Sequence, residues 1–351
     1  MTFVKSLSLA AVLTVAGVAA IAETVLIHGE AGPNRGARAA ALQWFADELA
    51  ERSGGDMRMD IQWGGALFKA NAAVQSIADG VADTGSVIAV YYPQEMAGYG
   101  IADLPVNNPD AWVGMRATDE MMRTSPDIQA DLADKNLVYI GTWTTSQVNI
   151  GCKGDPIRTV ADIAGKKVRG VGAYGKVFGE QGANMVAMSI YDAYQGLDTG
   201  LIDCSQGYSY AVAALKQAEV MDNYTLLNWG QVGGVGMFMN KDMHDALGDD
   251  QQALMAQIGS EMADEFGRLI TTANEKAVTS MKEAGVEVIE LPAEERAMLV
   301  EAGTKYLDAW VETTKTINLP GEELLADYKA LITKYTEQRE AEGYPWEAGT
   351  N

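Results

Sequence analysis

Residues 161–208 read ADIAGKKVRGVGAYGKVFGEQGANMVAMSIYDAYQGLDTGLIDCSQGY, and this stretch supports two competing interpretations. Residues 167–169 are predicted to form a strand ending at Arg169, where a planar guanidinium could bind a carboxylate through two parallel hydrogen bonds. The turn that follows contains Gly170, Gly172 and Gly175, a spacing that superficially matches a dinucleotide-binding turn, with Asp192 near the distance expected for a ribose contact. The first interpretation predicts an anion-binding protein, and the second predicts an oxidoreductase.

Strands and helices alternate on both sides of this stretch, which predicts an α/β fold. Two α/β units follow each other, and the chain returns to the first unit before it ends in helices, as two lobes around a cleft require. Strands are predicted at residues 24–28, 57–62, 85–91, 138–143, 148–152, 167–169, 202–205, 224–228 and 236–240, and helices up to residue 52 and at 70–79, 177–182, 210–218, 250–284, 294–314 and 321–342.

The N-terminal residues 1–22 are predicted to be a secretory signal peptide. They contain one lysine, Lys5, then a largely apolar run over residues 7–21 and the small-x-small ending Ala20-Ile21-Ala22. We therefore expect export and cleavage after Ala22. An uncleaved membrane anchor is the alternative, although the run is shorter than the about 20 residues of a membrane span.

The composition excludes some partners and suggests two domains. The formal net charge of −22 repels nucleic acid and anionic lipid, so an anion site must depend on local positive groups. A chain of 351 residues is longer than one hydrophobic core usually supports. In an exported chain the two cysteines, Cys152 and Cys204, are expected to form a disulfide; two buried free thiols are the alternative, and no metal-ligand spacing surrounds them.

Five phrases in the chain resemble the extracytoplasmic solute-binding subunits of tripartite ATP-independent periplasmic (TRAP) transporters, the DctP-like family. The resemblance covers nearly the whole chain beyond the signal peptide. The phrases are GGAL at 64–67, IADGVAD at 77–83, DIAGKKVR at 162–169, YDAYQGLDTGLID at 191–203 and MFMNK at 237–241.

The resemblance implies a two-lobed periplasmic binding protein. Each lobe would contain a mixed or parallel sheet flanked by helices, and one long helix would cross both lobes. Lobe I would comprise residues 23–146 and 232–278, and lobe II residues 147–231 and 279–351 with the C-terminal helices.

The resemblance also implies a function in transport rather than catalysis. Such a protein captures a small organic acid and delivers it to small and large permease subunits in the membrane, which an ion gradient drives. The family's carboxylate-binding arginine corresponds to Arg169. Many members carry a second arginine where this chain has Asn149, which favours a monocarboxylate, a 2-oxo or hydroxy acid, or a sulfonate over a dicarboxylate.

Further candidate ligand contacts lie near predicted strand ends or turns, where open sheets bind ligands. Tyr208 and Asn149 match positions of the family's contact pattern. Packing is the alternative role for the aromatic candidates. The other candidates are Trp143, Asn228 and Trp229 in the second unit, and Asn34 and Trp63 in the first.

Two alternative functions would use the same cleft. An exported hydrolase or oxidoreductase would need a general base and a nucleophile, but the only histidines are His28 and His244 and no nucleophile motif is present. A nicotinamide cofactor is not expected outside the cytoplasm, and Arg169 just before the turn is unusual for a pyrophosphate site. A sensor subunit for a membrane kinase also remains open. We predict no catalytic residue, cofactor or metal.

Overall fold

The computed structural model describes residues 23–108 and 110–347, so the predicted signal peptide lies outside the described residues. Within that part of the chain, the strands form two separate sheets, which confirms the predicted α/β fold. The strands are β1 Thr24–Gly29, β2 Met57–Gln62, β3 Thr84–Ile88, β4 Leu137–Trp143, β5 Val148–Cys152, β6 Lys167–Arg169, β7 Asn184–Met185, β8 Cys204–Gly207, β9 Asn223–Trp229, β10 Val235–Asn240 and β11 Glu287–Glu290.

The helices cover the faces of both sheets. They are α1 Gly36–Arg52, α2 Ala73–Ala78, α3 Ala111–Thr124, α4 Pro126–Ala133, α5 Gly172–Glu180, α6 Ala193–Asp198, α7 Ser209–Ala214, α8 Lys241–Asp245, α9 Asp249–Glu283, α10 Ala293–Gly303, α11 Lys305–Lys315 and α12 Gly321–Glu342. In the described ranges, no helix combines the length and the apolar character that crossing a membrane requires.

The first sheet has the strand order β2-β1-β3-β10-β4. Strand β1 pairs in parallel with β2 and β3, as the alternation of strands and helices predicts. Strand β10 is antiparallel to both of its neighbours because it returns to this sheet from the second one. Met237 and Met239 pack with α1 and α9, whereas Phe238 packs with α2 and α3 on the opposite face, so both faces are buried.

The second sheet has the strand order β11-β9-β5-β8-β6-β7. Strand β5 is antiparallel to β8 and β9, while β6 is parallel to β7 and β8. The predicted disulfide joins Cys152 of β5 to Cys204 of β8, two fully buried residues that face each other in register. The covalent bond therefore links two adjacent strands near the centre of this sheet.

Helix α9 connects the two units, as predicted. Its 35 residues span about 50 Å. The helix packs against α1, α3 and β4 of the first unit and against α7 and β11 of the second. A Cβ atom at Gly259 would lie 1.9 Å from the carbonyl oxygen of Ile140, so glycine is required for the helix to lie this close to β4.

The C-terminal helices return to the first unit. Trp310 of α11 and Tyr328 of α12 belong to the same hydrophobic cluster as Trp112 of α3 and Phe238 of β10. The first sheet takes its strands from residues 24–143 and 235–240, and the second from residues 148–229 and 287–290. Helices α11 and α12, which the prediction assigned to lobe II, contribute buried side chains to the cluster of the first unit. The predicted lobe boundaries otherwise stay a prediction.

Candidate functional site

A cleft lies between the two α/β units. Its outer part has a volume of about 1250 Å³ and narrows to a deep pocket of about 60 Å³. The walls follow β1, β3 and β6 in the chain, so the cleft lies at the carboxyl ends of parallel strands, where open sheets bind ligands. The residues that line both parts include Pro33, Val90, Tyr91, Val171, Tyr191 and Leu215.

Arg169, the last residue of β6, lines the deep pocket and is only 1% exposed. Its Nε donates to the carbonyl oxygen of Met188 at 3.2 Å, Nη1 to that of Gln206 at 3.0 Å, and Nη2 to the hydroxyl of Tyr91 at 3.0 Å. All three acceptors are uncharged. Among the described residues no carboxylate pairs with Arg169, so its positive charge is buried without compensation, an arrangement that is costly unless an anion binds.

Two N–H groups of Arg169 remain for a ligand. A guanidinium has five N–H groups, and the three contacts above use Nε and one N–H on each terminal nitrogen. The remaining pair, one on Nη1 and one on Nη2, matches the two oxygens of a carboxylate. The backbone of the second unit and Tyr91 of the first therefore hold the guanidinium and leave one N–H on each terminal nitrogen without a partner among the described residues.

The glycine-rich turn after Arg169 serves close packing between β6 and α5. A Cβ atom at Gly175 would lie 2.6 Å from the carbonyl carbon of Gly170, and Gly172 has a φ of +61°. The amide N–H of Val171 already donates to Gln206 Oε1 at 2.9 Å. These contacts explain the glycine spacing without a pyrophosphate ligand.

A second arginine of the deep pocket, Arg38 of α1, carries a compensated charge. Its Nη1 lies 2.6 Å from Glu30 Oε1 and 2.6 Å from the hydroxyl of Tyr191. Burial alone would lower the pKa of Arg38, but Glu30 and Tyr191 raise it above its ordinary range, so the side chain stays protonated. The Glu30 carboxylate also accepts from Ser86 Oγ and, at 2.6 Å, from the amide of Gly32.

Tyrosine hydroxyls supply further polar groups around the deep pocket. Tyr208, at the start of α7, is 4% exposed, and its hydroxyl accepts from Gln206 Nε2 at 3.3 Å. Burial raises the pKa of Tyr191 and of Tyr208 above the ordinary range, and raises that of Tyr210 to about 12. At neutral pH these tyrosines are therefore uncharged hydrogen-bonding groups.

The structure brings together two of the predicted contacts, Arg169 and Tyr208, at the deep pocket. Trp143 packs in the cluster under α9, and Trp229 packs edge-on against Tyr174 at a centroid distance of 4.8 Å. Both tryptophans therefore fill hydrophobic cores.

The remaining predicted contacts have other surroundings. Asn149 is 1% exposed, and its Oδ1 accepts from the amide of Asn228 at 2.9 Å. Asn228 itself is exposed and has a φ of +46°, at the point where the pairing of β9 with β5 is irregular. Asn34 is exposed on the segment after β1, and Trp63 is partly buried at the end of β2.

Sequence reasoning missed Arg38, Tyr91, Tyr191 and Tyr210 as pocket residues. Arg38 follows Glu30 by eight residues around the turn after β1, and this pair of opposite charges flanking a predicted turn was the available signal. The tyrosines gave no comparable signal, because a tyrosine near an element end serves packing as often as binding.

A family model described as "Bacterial extracellular solute-binding protein, family 7", DctP, matches residues 29–314. The chain belongs to this family. The resemblance drawn from the five sequence phrases is therefore confirmed.

Several characterised members of this family are similar over most of their length. The 2,3-diketo-L-gulonate-binding periplasmic protein of Escherichia coli K12 is 26% identical over 255 residues, 71% of this chain and 76% of that protein. The C4-dicarboxylate-binding periplasmic protein DctP of Rhodobacter capsulatus is 26% identical over 291 residues, 81% and 84% of the two chains.

A solved structure shows the same fold. The TRAP solute-binding protein of Rhodoferax ferrireducens T118, in complex with copurified benzoate, superposes with a TM-score of 0.80. The sequence identity is 22%, and the match covers 90% of this chain and 99% of that chain. The solute-binding protein thus has the two-lobed fold of TRAP binding proteins.

Proposed function

We propose that this protein is the periplasmic subunit of a TRAP transporter, which captures a small organic acid through Arg169 and delivers it to the membrane permease subunits. The observation that carries the proposal is the uncompensated charge of Arg169. The residue is 1% exposed, has no carboxylate partner in residues 23–108 and 110–347, and keeps one free N–H on each terminal nitrogen.

The charge balance of the deep pocket favours a monoanion. The positive charge of Arg38 is balanced by Glu30, whose side chain is fully buried. Arg35 also lines the deep pocket, but its side chain is exposed and water screens its charge. Arg169 is therefore the buried pocket cation that has charge available for a ligand. A second carboxylate on the ligand would approach Arg38 together with the negative charge of Glu30, which disfavours a dicarboxylate.

The lining of the deep pocket favours a ligand with an apolar body. Among its described lining residues are Ile88, Ile190, Leu215, Val232 and Val235, and no Asp, Glu, Asn or Gln side chain. The relatives bind a sugar acid, C4-dicarboxylates or benzoate according to their names. A sugar acid needs many hydrogen-bonding partners for its hydroxyls, and the hydroxyls of Tyr91, Tyr191 and Tyr208 in this lining already have protein partners. The lining therefore suits an apolar carboxylic acid better.

Ligand binding is proposed to shift an equilibrium between open and closed arrangements of the two lobes. The proposed boundaries of the lobes are those that the sequence predicts. Contacts across the cleft support this mechanism. Tyr91 of the first unit accepts from Arg169 and from the amide of Ile190 in the second, both at 3.0 Å. The permease subunits would then recognise the closed arrangement.

We further propose that the cleft binds without catalysis. A catalytic cleft would need a general base, and His28 is the histidine in the strand that precedes Glu30. Burial lowers the pKa of His28 to about 4, although Glu30 opposes the shift. Its ring nitrogens contact Thr84 Oγ1 at 3.0 Å and Ser86 Oγ at 3.3 Å. These contacts support a structural role in the first sheet.

Calorimetry on protein freed of copurified ligand tests the proposal. The screen would use apolar monocarboxylates, sugar acids and dicarboxylates, with mass spectrometry of whatever small molecule copurifies. Arg169→Met keeps most of the side-chain volume but removes two charged hydrogen bonds of about 1.5–3 kcal/mol each, which predicts a loss of at least 100-fold in affinity.

Arg158→Met is the matched control, since Arg158 pairs with Glu287 on the surface of the same unit with about half of its side chain exposed. Its affinity should equal that of the wild type. Retained affinity in Arg169→Met would refute the proposed role of Arg169, and the absence of binding for every acid would refute the proposed function.

A further inference from the structure

The chain returns from the second unit to the first through residues 230–234, which belong to no strand or helix and are called the crossing segment below. The end of this segment is anchored to the first unit. The amide of Gly233 donates to the carbonyl oxygen of Ala102 at 3.0 Å, and the amide of Gly234 donates to Asp103 Oδ1 at 2.8 Å. A Cβ atom at Gly234 would lie 2.7 Å from Asp103 Oδ2, so the carboxyl packs directly on the backbone.

The second unit holds the same segment from its other side. The hydroxyl of Tyr174 in α5 donates to the carbonyl oxygen of Gln231 at 2.8 Å and accepts from the amide of Gln231 at 3.0 Å. Only two residues separate Gln231 from Gly234. Because hinge motions are absorbed by a few such loop residues, a rotation between the units changes the backbone close to Asp103.

Asp103 is buried with only part of its hydrogen-bonding capacity used. The residue is 7% exposed, and its Oδ2 has no hydrogen-bond partner within residues 23–108 and 110–347. Burial raises the pKa of Asp103 to about 7, although the hydrogen bond from Gly234 opposes the shift. The buried carboxyl is therefore more stable with a proton than without one.

The ionisable groups around Asp103 do not compensate a negative charge there. Lys176 of α5 is exposed, and its ammonium lies 5.3 Å from the ring centroid of Tyr306 in α11, whose own pKa burial raises to about 12. Four further tyrosines interact with Asp103, and burial raises the pKa of each, so that all are uncharged at neutral pH: Tyr99 before it, Tyr174 of α5, Tyr208 at the start of α7 and Tyr328 of α12.

Asp103 borders a second cavity between the units, of about 250 Å³, which is called the side cavity below. The first unit, α5 and α11 all contribute to its lining. Val90 of the first unit and Gly172 of the second line both the side cavity and the outer part of the ligand cleft. They meet so closely that a Cβ atom at Gly172 would lie 2.8 Å from Val90 Cγ2. Their contact therefore separates the two spaces.

We propose that Asp103 is a proton-binding site that makes lobe closure depend on pH. In the closed arrangement, the contact of Val90 with Gly172 keeps the water of the cleft away from Asp103, which binds a proton. Opening moves α5 from the first unit and admits water to the side cavity, where it stabilises the ionised carboxylate. Low pH therefore favours closure, and this preference is lost as the pH rises through about 7.

The first experiment measures closure against pH in the absence of ligand. Lys69→Cys and Glu219→Cys place labels on exposed residues that line the outer cleft from opposite units, and the two native cysteines are bonded to each other. Single-molecule energy transfer between the labels gives the ratio of closed to open protein. A second series contains benzoate as a carboxylate probe.

The expected change follows from how far opening hydrates Asp103. Complete hydration, from a pKa of about 7 to the ordinary 3.8, would lower the closed-to-open ratio by about 30-fold between pH 5.5 and pH 8. The cover that Asp103 receives from its own unit moves with it, so we expect a fall of about 5- to 10-fold. A ratio that is constant, or that rises with pH, would overturn the inference.

A matched pair of variants assigns the effect to this carboxyl. Asp103→Asn keeps the shape and the acceptor for Gly234 but does not titrate, so closure should become independent of pH. Asp131→Asn is the control, since Asp131 of α4 also has an unbonded buried Oδ2 but pairs with Lys135 away from the crossing segment. It should keep the wild-type profile. An unchanged profile in Asp103→Asn, or equal profiles in both variants, would contradict the assignment.

Val90→Ala tests the separation of the two spaces. The smaller side chain leaves a path for water in both arrangements, so the dependence of closure on pH should shrink; a full wild-type dependence in this variant would also overturn the inference. The inference rests on the lobe movement of the proposed function but not on any ligand. If closure follows pH but no acid binds, the proposed function fails, and if acids bind while closure ignores pH, only the role of Asp103 fails.

Discussion

The hydroxyl of Tyr91 predicts a measurable coupling between lobe closure and ligand affinity. It accepts one hydrogen bond from Arg169 Nη2 and one from the amide of Ile190, each at 3.0 Å, whereas Tyr91 itself belongs to the first unit. The substitution Tyr91→Phe removes one charged hydrogen bond of about 1.5–3 kcal/mol and one neutral bond of about 0.5–1.5 kcal/mol.

Tyr91 is only partly buried, so water can replace part of this loss. We take about 2 kcal/mol as the net effect on the closed arrangement, which shifts the open-to-closed equilibrium by about 30-fold. Because apparent affinity scales with the population of the binding-competent state, ligand binding should weaken by up to the same factor.

The neighbouring residue provides a matched control for this substitution. The hydroxyl of Tyr92 also bonds backbone atoms, but it donates to Ala70 at 2.8 Å and accepts from Val74 at 3.5 Å, both within the first unit. Tyr92→Phe should therefore leave the closure equilibrium unchanged. Calorimetry would give the affinity, and single-molecule distance measurements between labels on the two units would give the closed fraction. Unchanged closure in Tyr91→Phe, or equal effects of the two substitutions, would refute the reasoning.

Two further predictions concern stability. Replacing the disulfide with Cys152→Ala and Cys204→Ala, which are 52 residues apart in sequence, should lower the free energy of unfolding by about 2–5 kcal/mol; an unchanged melting temperature in calorimetry would contradict this. Burial raises the pKa of Asp103 from its ordinary 3.8 to about 7, although the hydrogen bond from Gly234 opposes the shift. Between these pH values the folded state keeps Asp103 protonated while the unfolded state loses the proton. The free energy of unfolding therefore falls as the pH rises from about 4 to about 7. Asp103→Asn should remove this pH dependence. Compared with the wild type, the variant should gain on the order of 4 kcal/mol more in free energy of unfolding at pH 8 than at pH 4. An equally steep pH profile in the variant would show that another group is responsible.

Much of the fold followed from apolar patterns, but some elements were missed. Strand β2 alternates buried and exposed residues and has the predicted bounds of Met57–Gln62. Helices α3 and α4, in contrast, carried no prediction, although Ser125 before Pro126 is a typical helix start. Helix α3 is amphipathic, so its apolar pattern was an available signal that the prediction did not use.

The direction of β10 could not be predicted from its own residues. A continuous apolar strand such as Val235–Asn240 fits a parallel or an antiparallel position equally well. Its antiparallel pairing depends on the path of the chain through the second unit, which only the full topology defines. The same limit applies to the tryptophans, since one residue of register decides which face a strand side chain occupies.

The site shows a further limit of prediction from sequence. The role of an arginine depends on whether a nearby carboxylate balances its charge, and the residue type alone does not reveal this. Arg169 and Arg38 line the same deep pocket, yet one has three uncharged acceptors and the other has a buried carboxylate. Under the proposed function Arg169 attracts the ligand anion, whereas Glu30 already balances the charge of Arg38.

The proposed role of Arg169 came from the predicted strand that it ends together with the resemblance to the family. Arg38 contacts Glu30 and Tyr191, and Ser86 donates to Glu30, so the surroundings of Arg38 come from three separate parts of the chain.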